Sequence, residues 1–420
     1  MDKRASHQLT AHCRFSYRHI VRIGADDETE VLIRLTETSL LGKFMYHILP
    51  HPPASNYGGI LQAYALQRSL VGLDYDADIV DYTSRLQIAM RPKGGRARLF
   101  SLLKLISAIL GIGKRPVPSP YVSWFHRSFK KRFMRLFPLN DSRSNLSRLC
   151  DKAAFIVGSD QVWRGQYART IESLPFMFLD FATTEQRRNS IAYSASFGSD
   201  TWEGTPEETE ECARLLREFK AVSVREHSGI QICREVFGVD AVQMPDPTLL
   251  LNKADYDLLI REWHTSSHSQ PFLATYLLDN NPEKQALTRR LSQSMRWKTQ
   301  ALLHVAGAPK LIDRVPLSIP QWLRFIRDSE CLLTDSFHGC VFAIIFNKPF
   351  ICLGNAQRGT ARFESLLGTF GLLERMVVNP DVEQILKLAS TPIDWERVNS
   401  IHNSEQKRAF DFLKNNLKAD

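Results

Sequence analysis

Cysteine is sparse and unpaired in this 420-residue chain: seven residues, at 13, 150, 212, 233, 331, 340 and 352, with no CxxC among them. An odd, scattered set excludes a disulfide framework and a cysteine zinc site, and it suits a reducing cytoplasm. No metal site and no cofactor are expected. No apolar run reaches the ~18 residues of a membrane-spanning helix. The longest candidate, LFSLLKLISAILGIG, is shorter and carries a lysine. The opening MDKRASHQLTAHCRF lacks the unbroken apolar core of a signal peptide, so a cytoplasmic protein is expected. There is no GxGxxG after the first strand, no GxxxxGKS/T, no HExxH and no GxSxG, which removes the usual support for dinucleotide, P-loop, zincin and serine-hydrolase chemistry. GIGKRP at 111–116 resembles a phosphate loop only superficially.

One segment lacks negative charge altogether. Between Asp81 and Asp141 lie thirteen Lys and Arg and no Asp or Glu. Thirteen exceeds the net charge of +9, so the remainder is mildly acidic. The basic character therefore belongs to an insertion, 85–140, and nucleic-acid binding ranks last among the readings. RARLFSLLKLISAILGIGK and WFHRSFKKRFMRLF mix cations with Leu, Ile, Phe and Trp, as interfacial helices do. The insertion is expected to dock on anionic lipid, with a helical flap over the site as the rival reading.

What is present is an alternation of apolar strands and helices. A chain of this length exceeds what one core usually serves, so two domains are expected. Residues 1–40 show no sustained periodicity and form a poorly defined extension. KFMYHILP, GGILQAYALQRSLVGL and ADIVDY then read as a βαβ opening. AAFIVGSD, NSIAYSAS, AVSVRE and DAVQMPD follow as strands. MPDPTLLL, with Pro245 and Pro247, reads as a boundary. A second alternation follows, with PFLATYLL, TQALLHVA, CLLTDS and PFICLGN as strands and SEQKRAFDFLKNNLK as a closing helix. The expected fold is α/β: two Rossmann-like domains, 41–250 and 251–420, facing across a cleft in a GT-B-like glycosyltransferase architecture.

Ligands of open α/β sheets sit at the carboxyl ends of strands, and several of these ends are polar. FIVGSDQVW ends in Ser159 and Asp160. SIAYSASFG offers Ser194 and Ser196. AVSVREHSG places Arg225 after a strand, where a guanidinium can grip a carboxylate or phosphate or simply pair with Glu226. CLLTDSFHGCVFAIIFNKPF passes from a buried strand through Asp335, Ser336 and His338 into an apolar helix. Asp335 or Ser336 is placed at the N-cap and His338 in the first turn, as an anion-facing group or an incidental structural histidine. GNAQRGTARFESLL adds Arg358 and Arg362, which with Arg225 would make a cationic pocket for a small anion. SNYGGILQAYALQ sets Gly58 and Gly59 before a helix, either for a ligand's approach to the backbone or for tight packing.

Taken in order, NYGGILQAYALQ, FIVGSDQVW, SIAYSASFG, SVREHSG, PDPTLLL, TDSFHGCVFAIIFNKPF and the RG..RFESLL segment resemble the polysaccharide pyruvyl transferase family, from about residue 44 to 375. The resemblance implies transfer of the enolpyruvyl carbons of phosphoenolpyruvate, as co-substrate, onto two hydroxyls of a surface-polysaccharide sugar or its lipid-linked precursor, forming a pyruvate ketal. It implies His338 as the general acid and Arg225 as the holder of the donor's anionic groups, and Asp335, from its place at the strand end, is expected to join His338 in catalysis. Arg225, Ser336, Gly339, Arg358 and Arg362 would form the donor side. Asn56, Tyr57, Gly58, Gly59, Ser159, Asp160, Ser194 and Ser196 would form the acceptor side. Some members carry an arginine two residues before the histidine, where this chain has Ser336. The alternatives are a GT-B glycosyltransferase with a nucleotide-sugar donor, and a non-catalytic glycan- or anion-binding relative.

Overall fold

The computed structural model describes residues 44–418 except for 53–55, 83–102, 104–105, 107–125, 139–152, 262–269, 280, 304–314, 355–359 and 380. Residues 44–420 form one compact unit. The extension 1–40 and the greater part of the insertion 85–140 lie outside the described residues.

The chain is α/β with two parallel sheets. The first contains β1 (Met45–Leu49), β2 (Asp76–Asp81), β3 (Leu136–Pro138), β4 (Ala153–Val157), β5 (Ile191–Ala195), β6 (Ala221–Val224) and β7 (Val242–Gln243), in the order β3-β2-β1-β4-β5-β6-β7. Its crossovers include α1 (Tyr57–Gly72), α2 (Arg127–Phe133), α3 (Gly165–Ile171), α4 (Thr184–Arg188), α5 (Pro206–Leu216) and α6 (His227–Ile232). The second sheet follows α7 (Lys253–Arg261). It contains β8 (Phe272–Tyr276), β9 (Lys298–Ala301), β10 (Cys331–Thr334), β11 (Phe350–Leu353) and β12 (Met376–Val377), in the order β12-β11-β10-β8-β9. Its helices are α8 (Pro282–Met295), α9 (Ile319–Asp328), α10 (Phe337–Ile345), α11 (Ala361–Phe370) and α12 (Val382–Ser390), and α13 (Trp395–Asn416) closes the chain. Both strand orders reverse direction once, between β1 and β4 and between β8 and β10, and those switch points are where such sheets bind ligands.

Local sequence explains the helix starts. α5 opens on a capping box, Thr205 with Glu208, and Pro206 in its first turn. α9 opens on another, Ser318 with Gln321. α1 and α10 differ from these, because residues on every side of them are buried. A helix apolar all round belongs inside a core. Here both lie in the largest hydrophobic cluster, which is continuous from Ile60 and Leu66 of α1 to Val341 and Ile344 of α10. Each sheet covers its other face with a separate cluster. The two domains thus share one core, and their switch points are pressed together inside it.

α13 spans both domains. It begins against α11, where Arg397 Nη2 donates to the Gly371 carbonyl at 2.9 Å. It ends on the first domain, where Arg408 Nη1 donates to the Gln243 carbonyl at 2.5 Å and Phe412 packs on Tyr193.

The end of the basic insertion, as far as Pro138, lies among the described residues. Residues 127–138, most of them within WFHRSFKKRFMRLF, include α2 and the edge strand β3, which pairs with β2. Lys130 is buried 3.8 Å from Asp81, and Arg135 pairs with Asp76 at 3.0 Å. Phe129 is buried against Tyr64. Lys130, Arg135 and Phe129 are engaged with the first sheet, whereas Arg127, Lys131 and Arg132 are exposed.

Candidate active site

His338 stands in the first turn of α10, after β10, and its ring lies directly over the first turn of α1. A Cβ built on Gly58 would fall 2.0 Å from His338 Nδ1, so the ring occupies the space that any other residue's side chain would need. This answers what the Gly58 position is for: close approach of a side chain from the opposite domain. Asn56 caps α1 by accepting the Gly58 N–H at 3.0 Å. Gly59 lies beside Asp160, whose Oδ2 would be 4.0 Å from a Cβ at that position.

Beneath the histidine is a buried charge cluster. Arg225, following β6, is 3% exposed. Its Nη1 donates to Asp246 Oδ2 at 3.1 Å and its Nη2 to Asp160 Oδ1 at 3.3 Å. Phe337 stacks under the guanidinium at 4.5 Å. Asp246 is 1% exposed and draws donors from three directions. Thr248 gives Oδ1 its N–H at 3.0 Å and its hydroxyl at 2.6 Å, Gln62 of α1 donates to Oδ2, and His338 Nε2 lies 3.6 Å from that same oxygen. Burial works to raise the Asp246 carboxyl, but His338, Arg225 and Thr248 hold it far below the ordinary range. Burial likewise opposes ionisation of Asp160, and Arg225, His338, His51 and Arg362 together bring it down to about 2. Two backbones here adopt left-handed angles without glycine, Asp160 at φ 69° and Ser194 at φ 48°, a strain that structures keep where surrounding contacts demand it.

Arg362, in α11, has a different surrounding. Its Nε is out of contact with water and has no hydrogen-bond partner. Burial, reinforced by the Arg225 charge, lowers its guanidinium to about 10, with Asp160 and Glu226 opposing. It stays cationic at neutral pH. A small cavity beside it, about 20 Å³, is bounded by Arg225, Asp246, Phe337 and Glu405.

Residues 56–357 match the family model described as Polysaccharide pyruvyl transferase. The chain belongs to the polysaccharide pyruvyl transferase family. It is therefore a transferase, and the match runs from the start of α1 past β11, with β1 lying before it. No curated protein matches it in sequence. Among solved structures it is similar to Arabidopsis thaliana UGT89C1 complexed with UDP-L-rhamnose, at 8% identity and TM-score 0.47, covering 90% of this chain and 100% of that one. It is similar also to a glycosyltransferase from Rickettsia africae, at 9% identity and TM-score 0.46 with 90% and 100% covered. A UDP-N-acetylglucosamine 2-epimerase from Rickettsia bellii gives 11% identity and TM-score 0.46 with 89% and 95% covered.

The expected site residues divide. His338, Gly58, Asp160, Arg225 and Arg362 come together, with Gly59 at the edge. Arg358 lies outside the described residues. Asp335, expected in catalysis, faces elsewhere: it accepts the N–H groups of Leu278 and Asp279 at 2.6 and 3.1 Å and pairs with Lys284 Nζ at 2.6 Å. It fastens the loop after β8. Ser336 is the N-cap of α10 by backbone angle, without a side-chain cap bond, and its N–H donates to Thr334 Oγ1 at 3.0 Å. Gly339 packs on Thr334, whose Oγ1 would be 2.3 Å from a Cβ there. Tyr57 is buried, stacked on Trp322 at 5.3 Å and donating to the Leu317 carbonyl.

The serines expected to meet an acceptor are buried and already bonded. Ser159 donates to the Ser194 carbonyl, Ser194 to the Met244 carbonyl, and Ser196 to Glu226. All three are 2% exposed or less. Arg225, expected to hold the donor, has both Nη atoms engaged by protein carboxylates. The residues missed are Asp246, Gln62 and His51, the last held below its ordinary range by burial, with Asp160 opposing. Asp246 was hidden by its own prolines, which read as punctuation. Among the described residues no group of His, Cys, Asp and Glu is arranged to hold a metal, and no helix is long and apolar enough to cross a membrane.

Proposed function

We propose that the protein transfers the enolpyruvyl carbons of phosphoenolpyruvate to two hydroxyls of one sugar in a polysaccharide or its lipid-linked precursor, forming a cyclic pyruvate ketal. Family membership supports the activity class. The observation that carries the finer reading is the meeting at one place of an imidazole and a partly buried arginine without a hydrogen-bond partner at Nε, His338 and Arg362, both within electrostatic reach of Asp160.

The chemistry needs a proton delivered to the donor's methylene carbon. His338 as imidazolium gives that proton, the methylene becomes a methyl group, and C2 becomes an oxocarbenium-like electrophile. One sugar hydroxyl bonds to C2 and gives its proton back to the now neutral His338 ring. The second hydroxyl then displaces phosphate, which leaves with the remaining proton. The products are the ketal and inorganic phosphate. Arg225, Arg362 and a protonated His338 only balance Asp160, Asp246 and Glu226, so Arg362 does not neutralise the donor's charge alone. The converging first turns of α1 and α10 supply positive helix ends. Arg225 is best read as the tie that holds Asp160 and Asp246 in place, and Arg362 as the cation that meets the donor.

Calorimetric titration with phosphoenolpyruvate tests this without an acceptor. Saturable binding is expected in the wild type, with affinity reduced about tenfold or more in Arg362→Ala, as for loss of a hydrogen bond to a charged group. Binding to the wild type that Arg362→Ala leaves unchanged refutes the assignment of Arg362. Absence of binding, alone and with a panel of methyl hexosides, refutes the donor.

A further inference from the structure

We propose that Asp246 sets the orientation and the tautomer of His338, an inference that rests on reading His338 as the proton donor. The carboxylate sits in the turn between the domains, where Pro245 and Pro247 enclose it and Thr248 fixes Oδ1 through two hydrogen bonds. Oδ2 is aimed by Gln62 from α1 and by Arg225 after β6. The remaining direction leads to His338 Nε2, at 3.6 Å, and that nitrogen is buried and has no hydrogen-bond partner. A buried N–H left without an acceptor is costly, so the Asp246 carboxylate facing it decides where the ring points.

Asp246 therefore takes Nε2–H and leaves Nδ1, over Gly58, as the nitrogen that exchanges a proton with substrate. The proton donated to the methylene carbon leaves from Nδ1, and the Nε2 proton stays with the ring. Asp246 itself takes up no proton, since its carboxyl is held ionised by His338, Arg225 and Thr248. The charged groups around the ring are Asp160, Asp246, Arg225 and Arg362, with His51 beyond Asp160. The arrangement joins three parts of the chain at one oxygen: Gln62 and Arg225 from the first domain, His338 from the second, and the carboxylate from the turn that connects them. Domain placement and proton delivery are thereby set by the same contact.

Two measurements test it. In ¹⁵N-labelled wild-type protein, with His338→Gln used to assign the resonance, the neutral ring is expected to carry its proton on Nε2. A proton on Nδ1 overturns the proposal, and this arm needs no Asp246 variant to fold. In Asp246→Asn, phosphate release from phosphoenolpyruvate, with methyl hexosides as acceptors, is expected to fall about 100-fold in kcat, the size of effect of a small misplacement of a catalytic group. KM for phosphoenolpyruvate is expected to stay within about threefold, because an orienting partner acts on turnover rather than on binding. The alkaline limb of the rate profile is expected to move to lower pH, since the imidazolium has lost its anion. The double variant with His338→Gln is expected to be no slower than His338→Gln alone. A folded Asp246→Asn protein with wild-type kcat and an unmoved limb overturns the proposal, as does a rise in KM with kcat retained. A wild type that releases no phosphate but shows the Nε2–H ring supports the pairing and removes the donor reading alone.

Discussion

Gly58→Ala tests the junction of the two domains with a single methyl group. The new Cβ would lie 2.0 Å from Nδ1 of His338, 2.2 Å from Cγ and 2.6 Å from Cε1. Ordinary contact begins at 3.4 Å, so ring or helix has to yield by about 1.4 Å. The ring has little room, being 5% exposed with Phe337 edge-on at 5.4 Å and Asp246 behind Nε2. Two effects oppose each other. Alanine in place of glycine favours a helix by about 0.5–1 kcal/mol, whereas forcing extra volume into a filled space costs about 1–3 kcal/mol. Overpacking wins, and a net loss of about 1–2 kcal/mol is expected. A ring displaced by more than about 1 Å is expected to reduce turnover about 100-fold. Urea unfolding measures the first and phosphate release the second. Gly59→Ala serves as the stability control, because its nearest atoms are Asn56 Cβ at 3.8 Å and Asp160 Oδ2 at 4.0 Å; its stability is expected to match or exceed the wild type. A Gly58→Ala protein with wild-type stability and turnover refutes the contact between α1 and His338.

Asp335→Asn loses the charge that holds Lys284 and two backbone N–H groups, so unfolding is expected about 1–3 kcal/mol earlier with turnover of the folded protein retained. Abolished turnover at unchanged stability would restore Asp335 to the chemistry. Asp160 has a carboxyl lowered from 3.8 to about 2, so its stabilising contribution is complete above the unfolded value and is lost as pH falls toward 2. At 1.36 kcal/mol per unit that is about 2 kcal/mol. The stability difference between wild type and Asp160→Asn is expected to shrink between pH 4 and pH 2 in an acid-unfolding series, and a constant difference counts against the ion pair.

How far the chain can be read from its sequence depends on the kind of question. The polar residues after β4, β6 and β10 announce a site, because apolar strands that end in Asp, Arg and His have few other uses. Direction is not announced. Asp335 and Asp246 both follow strands in polar turns, yet one fastens a loop and the other faces the histidine, and only packing distinguishes them. Ser194 and Ser196 look like ligand contacts until Met244 and Glu226 are seen to use them. Periodicity describes α1 as a helix but not its depth, since a helix buried on all sides has no polar face to orient it. β3 is hidden in the sequence because Leu136–Pro138 is short and follows a run of cations. Its pairing partner β2 comes more than fifty residues earlier, and that distance hides the strand more than its composition does.

The closing helix has a consequence for dividing the protein. α13 belongs by chain order to the second domain, yet Arg408 grips the carbonyl of Gln243, His402 that of Leu249, and the Lys418 N–H meets the Tyr46 hydroxyl. The first and last described parts of the chain are fastened to one another. A cut at the interdomain turn therefore does not yield two separable modules, because the upstream piece loses the cover over Tyr193 and β7. Any exchange of halves between relatives has to move residues 395–418 together with the N-terminal sheet, so the transplantable unit is discontinuous.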